Sequence, residues 1–277
     1  MCTVPWLSAI CRESYNDPAE LYRTLKRRGM GLVTVTDHDS IAAAATLRRH
    51  ADFFLSEEVT CATPDGGEIH IGVYGMEERH HEPMQLRRGD LPRLLAYLGE
   101  QRLFHSVNHM FSSLTGPRTV ADFALFAERF PAFETRNGQM LAAANRSAAA
   151  LAERCGKAQV AGSDAHTMAS LGKTYTEVAG ARDANEFVSG LRHGRATVHG
   201  ENGDLAKLTL AVWAIGVELA RERPWAALLL PLMAAVPAVT VGNYIREAAF
   251  QRKWSRVTEK SAPVQTWTAP AEAAELA

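Results

Sequence analysis

The sequence predicts an α/β fold in which short strands alternate with helices around a parallel sheet. Three observations carry that expectation. From about residue 18 to 200, short apolar β-branched runs alternate with helical runs. Histidines and carboxylates fall where the β-rich runs end. The composition, 47% hydrophobic and 22% charged over 277 residues, is that of a folded globular chain with enough length for a sizeable core.

In order along the chain, Asp17 is a candidate N-cap, Pro18 suits a first helical position, and Gly29 ends the helix. Leu32–Val35 reads as a strand that stops at Thr36-Asp37-His38-Asp39, and an alanine-rich helix follows over 41–50. Strands are expected over 53–55 and 69–74. A helix over 90–102 places Leu91, Leu94, Leu95 and Leu98 on one face. The alternation continues with a strand at 103–107, a helix at 119–129, a strand at 132–136 and a helix at 141–154 closed by Gly156. Strands at 159–161 and 174–178 and a helix at 183–193 complete it. A barrel and a doubly wound sheet both fit this order.

The character changes after residue 200. Gly200–Asp204 reads as a linker, and 208–217 is apolar. From Pro224 to Ile245 there is no charged residue, and a basic stretch over 246–260 follows. That length meets the criterion for a membrane span, with a buried helical hairpin as the alternative. The tail over 262–277 is expected to be disordered.

Thirty Lys and Arg against 31 Asp and Glu give a net charge of −1, so charge offers no case for nucleic acid as the main partner. Four cysteines without a CxxC pair exclude a disulfide framework and a zinc ribbon. With no apolar secretory leader in view, the expected setting is the reducing cytoplasm, with membrane attachment through 224–245 as an addition.

Four strand ends carry ligand residue types: Asp37-His38-Asp39, Glu57-Glu58, His109, and Ser163-Asp164-Ala165-His166. Each alone also reads as a turn or cap. Together they form a metal-site pattern, because imidazole and carboxylate suit Zn, Mn or Fe and β/α folds build sites at strand C-termini. His80 and His81, in a charged stretch, are expected on the solvated surface. His50, His193 and His199 are expected there too, and His105 inside its strand as a core or supporting residue. Arg118 and Arg136 are candidate phosphate-binding groups by residue type.

Thr36-Asp37-His38-Asp39 and Gly162-Ser163-Asp164-Ala165-His166 resemble the second and last motifs of the PHP (polymerase and histidinol phosphatase) superfamily. Between them, Glu58-Val59-Thr60, Ile69-His70-Ile71-Gly72, Asn108-His109 and Glu134-Thr135-Arg136-Asn137-Gly138 resemble further segments of that family, in order, over about 12–200. The resemblance implies a distorted seven-stranded TIM-like β/α barrel with up to three divalent ions. His38, Glu58, His70, His109, Asp164 and His166 would be the ligands, with Glu58 bridging. Asp37 and Asp39 would orient ligands for catalysis. It implies hydrolysis of a small phosphorylated substrate by metal-bound hydroxide; an amidohydrolase fits these motifs less well.

The family's opening His-x-His pair has no counterpart, since no histidine precedes His38. Aligning from Pro18 puts that pair near Trp6 and Ser8, with Glu13 at the next acidic position; another register puts it near Cys2 and Val4. The first strand is therefore expected to be missing or truncated. A start lying upstream is favoured over a degenerate, non-catalytic binding or scaffolding module. The expected organisation is a PHP-like hydrolase domain over 1–200, an apolar helical extension over 201–261 and the tail.

Overall fold

The computed structural model describes residues 16–260. Cys2, Val4, Trp6, Ser8 and Glu13, and with them the question of the first strand, lie outside the described residues, as does the tail over 262–277.

Helix α1 (Pro18–Arg27) begins as the sequence predicts, with the Asp17 carboxylate accepting the Glu20 N–H at 2.8 Å. Next comes α2 (Ala42–Leu47). The main sheet is built from β1 (Ser56–Ala62), β2 (Glu68–Tyr74), β3 (Phe104–Val107), β4 (Ala132–Asn137) and β5 (Ala158–Gly162), paired in that order. Between β2 and β3 lie α3 (His81–Gln85) and α4 (Leu91–Glu100); α5 (Val120–Arg129) and α6 (Ala142–Arg154) flank β4. Strands β6 (Thr174–Val178) and β7 (Ala196–Gly200) form a separate antiparallel pair around α7 (Ala184–Arg192).

The sheet differs from the expected parallel barrel. Strands β3, β4 and β5 are parallel, but β2 runs antiparallel to both β1 and β3, and no closed seven-stranded barrel forms among the described residues. The reason is local at β1 and β2. Thr63 N–H bonds Gly67 O at 2.8 Å and Gly66 takes φ 80°, so a tight turn joins the two strands. Parallel neighbours would need a long crossover instead. The expected strand at 32–35 is reduced to one bridge, Val33 to Phe53, and the strand expected at 53–55 forms at 56–62.

The core lies between β1–β4 and the helices on one face. Leu91, Leu94 and Leu98 of α4 join Ile69, Ile71 and Val73 of β2 and Phe123 and Phe126 of α5 in one buried cluster. This burial supplies the main driving force of the domain. It also fixes β1 and β2, which carry Glu58 and His70 near their starts, and the loops after β3 and β5, which carry His109, Asp164 and His166.

Three further elements follow: α8 (Leu205–Glu222), a 3-10 segment (Pro224–Ala235) and α9 (Val236–Lys260). The second half of α9 is docked. Trp254 packs on Phe123 with ring centroids 5.3 Å apart, Gln251 donates to Ser147 Oγ at 2.9 Å, and Arg154 donates to the Thr258 carbonyl at 2.6 Å. No helix among the described residues is long and apolar enough to cross a membrane. The spanning expectation for 224–245 fails because the uncharged run is not one helix. Pro231 lies inside the 3-10 segment and Pro237 at the start of α9, where each lacks the N–H that a continuous ladder needs.

Candidate metal centre

The turn over 36–39 is stapled to β1. His38 bridges Glu58 in parallel register; Glu58 N–H donates to Asp37 O at 3.2 Å, and Asp39 N–H to Glu58 O at 2.9 Å. The Asp39 carboxylate accepts Thr60 N–H at 2.9 Å and pairs with Arg88 at 2.5 Å. Thr60 Oγ1 in turn lies 3.2 Å from His38 Nδ1. Asp39 therefore acts on His38 through Thr60, while Asp37 contributes its backbone carbonyl and lines the cleft described below.

Glu58 is the centre of the arrangement. Its Oε2 lies 3.5 Å from His38 Nε2, and its Oε1 lies 3.6 Å from His70 Nδ1 and 3.4 Å from His109 Nε2. Asn108 Nδ2 donates to the same Oε1 at 2.9 Å. His70 sits edge-on to both His38 and His109, with centroids 4.4 and 4.7 Å away, and its Nδ1 is 3.0 Å from His109 Nε2. Burial alone would raise the Glu58 pKa, but His109, His38 and His70 together hold it well below the usual carboxylate range. Burial, then the neighbouring His109, pushes His70 down to about 2. For His109, burial is outweighed by the hydrogen bond and charge of Glu58, and the pKa rises to about 9.

A divalent ion fits these residues. One donor atom from each of His38, Glu58 and His70 lies within 4.8 Å of the others. Each separation, 3.5 Å from Oε2 to His38 and 3.6 Å from Oε1 to His70, is close to the ~3.3 Å edge of a tetrahedron with bonds of ~2.0–2.1 Å, so each oxygen and its own imidazole are spaced to share an ion. His109 Nδ1 is buried without a hydrogen-bond partner.

A second group adjoins the first. The buried Glu134 carboxylate accepts His109 N–H at 2.9 Å and the Asn137 amide at 3.1 Å. The same amide reaches Asp164 Oδ2 at 3.2 Å. His166 Nδ1 donates to the Asp164 carbonyl at 3.0 Å and lies 3.5 Å from Oδ1. Burial, against His109 and with Asp164 and Glu58, raises the Glu134 pKa to about 8. Glu58, Asn108, Glu134, Asn137, Asp164 and His166 line one cleft of about 690 Å³.

The backbone at these turns is unusual. Only four described non-glycine residues have positive φ, and three belong to the site: Asp39 at 52°, His109 at 28° and Asp164 at 46°. Left-handed backbone at non-glycine residues concentrates where side chains must be aimed against local preference.

The structure thus gathers His38, His70 and His109 around Glu58, and links Asp164 and His166 to them through Asn137 and Glu134. Asn108, Thr60 and Asn137 carry roles that reading the sequence did not assign, and Glu134 was seen only within a motif. The available signal was polar residues in runs otherwise destined for the core. Neither Arg118 nor Arg136 lines the cleft. The Arg118 side chain is spent on Thr115 Oγ1 and the Pro117 carbonyl, and Arg136 donates to Gly200 O. His80 and His81 are not solvated as expected: His80 is buried and accepts Glu77 N–H, and His81 pairs at 2.9 Å with the fully buried Glu57. His105 is a core residue, its Nδ1 on the Leu103 carbonyl and its ring on Phe130.

Residues 142–196 match the PHP-associated family model. No curated protein matches the chain. Among solved structures, one similar fold is that of a two-domain Bacteroides vulgatus protein containing a predicted PHP-like metal-dependent phosphoesterase. It has a TM-score of 0.56 at 16% identity, over 69% of this chain and 62% of that one. The chain thus spans less than two thirds of that protein's length. Another is PsfC from Pseudomonas syringae, with a TM-score of 0.54 at 19% identity over 76% of this chain and 93% of PsfC. Residues 142–196 are thus similar to the PHP-associated family, and the chain shares its α/β fold with those two solved structures.

Proposed function

We propose that the protein is a divalent-metal-dependent phosphoesterase acting on a small phosphorylated compound. The observation that carries this reading is the buried Glu58 carboxylate, whose two oxygens face different imidazoles. A carboxylate so placed suits one ion or a bridged pair. His38, Glu58, His70 and His109 would hold metal on one side, and Asp164 and His166 on the other. A divalent ion there supplies Lewis-acid polarisation of a phosphoryl oxygen and activation of water.

The chain's own groups prepare that site. Asn108 fixes the Glu58 oxygen that faces His70 and His109. Thr60, held by Asp39, fixes the His38 ring. Glu134 holds the His109 backbone, and Asn137 sets the Asp164 carboxylate. Such supporting contacts typically change metal affinity or activity ~10–100-fold when removed. The cleft volume of about 690 Å³ is that of a small-molecule site.

The test is metal content and phosphate release measured together. The chain, reconstituted separately with Zn, Mn or Fe, is expected to retain metal through gel filtration and to hydrolyse an aryl phosphate. The Glu58→Gln variant is expected to lose most of the metal and the activity while keeping its circular dichroism spectrum. No retained metal under any condition overturns the metal site. Retained metal without hydrolysis across a panel of small phosphate esters overturns the enzyme and leaves a metal-holding binding module.

A further inference from the structure

Twelve large apolar side chains are exposed among the described residues, and ten of them lie between 210 and 245. They come from α8, the 3-10 segment and the first half of α9. Leu228 is 83% exposed and Leu232 67%. The unit holds itself together: Thr209 Oγ1 meets Thr240 Oγ1 at 2.9 Å, and Met233 packs so closely on Gly216 that a Cβ there would lie 2.6 Å from the Met233 methyl. Its exposed surface is rich in apolar side chains, and α8 buries none of its residues. Apolar side chains scattered singly over a surface need no partner, but ten gathered on three packed elements do.

The charge around this face names the partner. Residues 205–260 carry eight basic and four acidic side chains, a net +4, whereas the whole chain carries −1. On α9, Val241, Ile245, Arg252 and Arg256 are exposed and share one helical stripe, so the stripe turns from apolar to cationic along its length. Trp213, Trp225 and Tyr244 are exposed on the same three elements. Aromatic groups with apolar and basic neighbours suit the interface between lipid headgroups and acyl chains. A two-fold contact with a second copy would instead oppose two surfaces of net +4.

We propose that the unit from α8 to α9 docks on an anionic lipid surface without crossing it. Burial of the apolar face supplies contact, and the arginines and lysines select negatively charged headgroups.

Flotation of the full chain with vesicles tests this. The chain is expected to float with mixed phosphatidylcholine–phosphatidylglycerol vesicles and to bind pure phosphatidylcholine far more weakly. Arg252→Gln with Arg256→Gln should weaken binding to the mixed vesicles about 25-fold, at roughly fivefold per basic residue near the surface. Leu228→Glu with Leu232→Glu should abolish it with an unchanged thermal melt, since both side chains are exposed. A chain that stays at the bottom of the gradient overturns the proposal. So does binding indifferent to both variants. If the Leu228→Glu, Leu232→Glu pair instead dissolves a dimer in sedimentation while no vesicle is bound, the face is an interface between copies and the proposal falls.

Discussion

His105 should make the stability of this protein fall with acidity in a defined window. Its side chain is 6% exposed, its Nδ1–H is given to the Leu103 carbonyl, and its Nε2 is buried without a partner. Protonating Nε2 would bury a charge with nothing to receive its hydrogen. Burial accordingly lowers the pKa to about 4, with the Leu103 bond opposing. In the unfolded chain the same ring titrates near 6.5. Between these values the unfolded state binds the proton and the folded state does not, so stability falls as pH drops from about 6.5 toward 4. The full effect is about 3 kcal/mol, of which about 2 kcal/mol is lost between pH 7 and 5. Above pH 7 it contributes nothing. Urea unfolding of the chain and of His105→Asn, which keeps a donor near the Nδ1 position, should be compared at pH 7 and 5. The variant is destabilised at pH 7 by the cavity it leaves, but its further loss at pH 5 should be smaller by about 2 kcal/mol. Equal losses in both proteins would refute the argument, because the other titrating groups are common to the two.

Asn137→Ala removes the amide that joins Glu134 to Asp164 and should lower phosphoesterase activity ~10–100-fold, read against the metal content of the same sample. Trp254→Ala should cost about 3–5 kcal/mol in urea unfolding, because this buried ring is the main apolar anchor of α9 on Phe123. Gly138→Ala should destabilise the turn after β4, since its Cβ would stand 2.7 Å from the Ser163 carbonyl; a melting temperature unchanged from the parent would contradict that packing. Cys61, fully buried with its thiol pushed up to about 12 by burial, should resist a thiol reagent until the chain is unfolded.

Much of the helical frame was legible because its signals are local. Asp17-Pro18, Asp90 and Thr119 each cap a helix through a bond the structure contains. His109, Asp164 and His166 follow β3 and β5, where the apolar runs before them placed them, whereas Glu58 and His70 lie inside β1 and β2 and not at a strand's end. Strand direction was not legible, since β1 and β2 have the same pattern whether their neighbours run with or against them. Strand β1 itself was misplaced because it carries Glu57 and Glu58, and a buried carboxylate reads as loop until its partners are known. Those partners, His81 and Gln85 for Glu57, come from a stretch whose charges suggested solvent. The uncharged run 224–245 fits a membrane span as well as a buried hairpin on hydropathy, and Pro231 and Pro237 do not decide between them, because prolines are tolerated in lipid-embedded helices.

Evolving or designing a more stable version of this protein would put its chemistry at risk in three predictable places. Asp39, His109 and Asp164 hold backbone angles that glycine accepts freely and other residues adopt at a cost of about 1 kcal/mol or more each. A screen rewarding thermal resistance alone would favour glycine wherever that relief exceeds the contacts the side chain makes, which for Asp39 are Arg88 and Thr60, for His109 Glu58 and for Asp164 Asn137. Against the ~5–15 kcal/mol that keeps a typical domain folded, the summed relief is large enough to matter. Each such winner would delete a side chain that faces the cleft or holds a neighbour in place. Selection for ruggedness should thus drift toward an inert scaffold unless metal retention is scored in the same round.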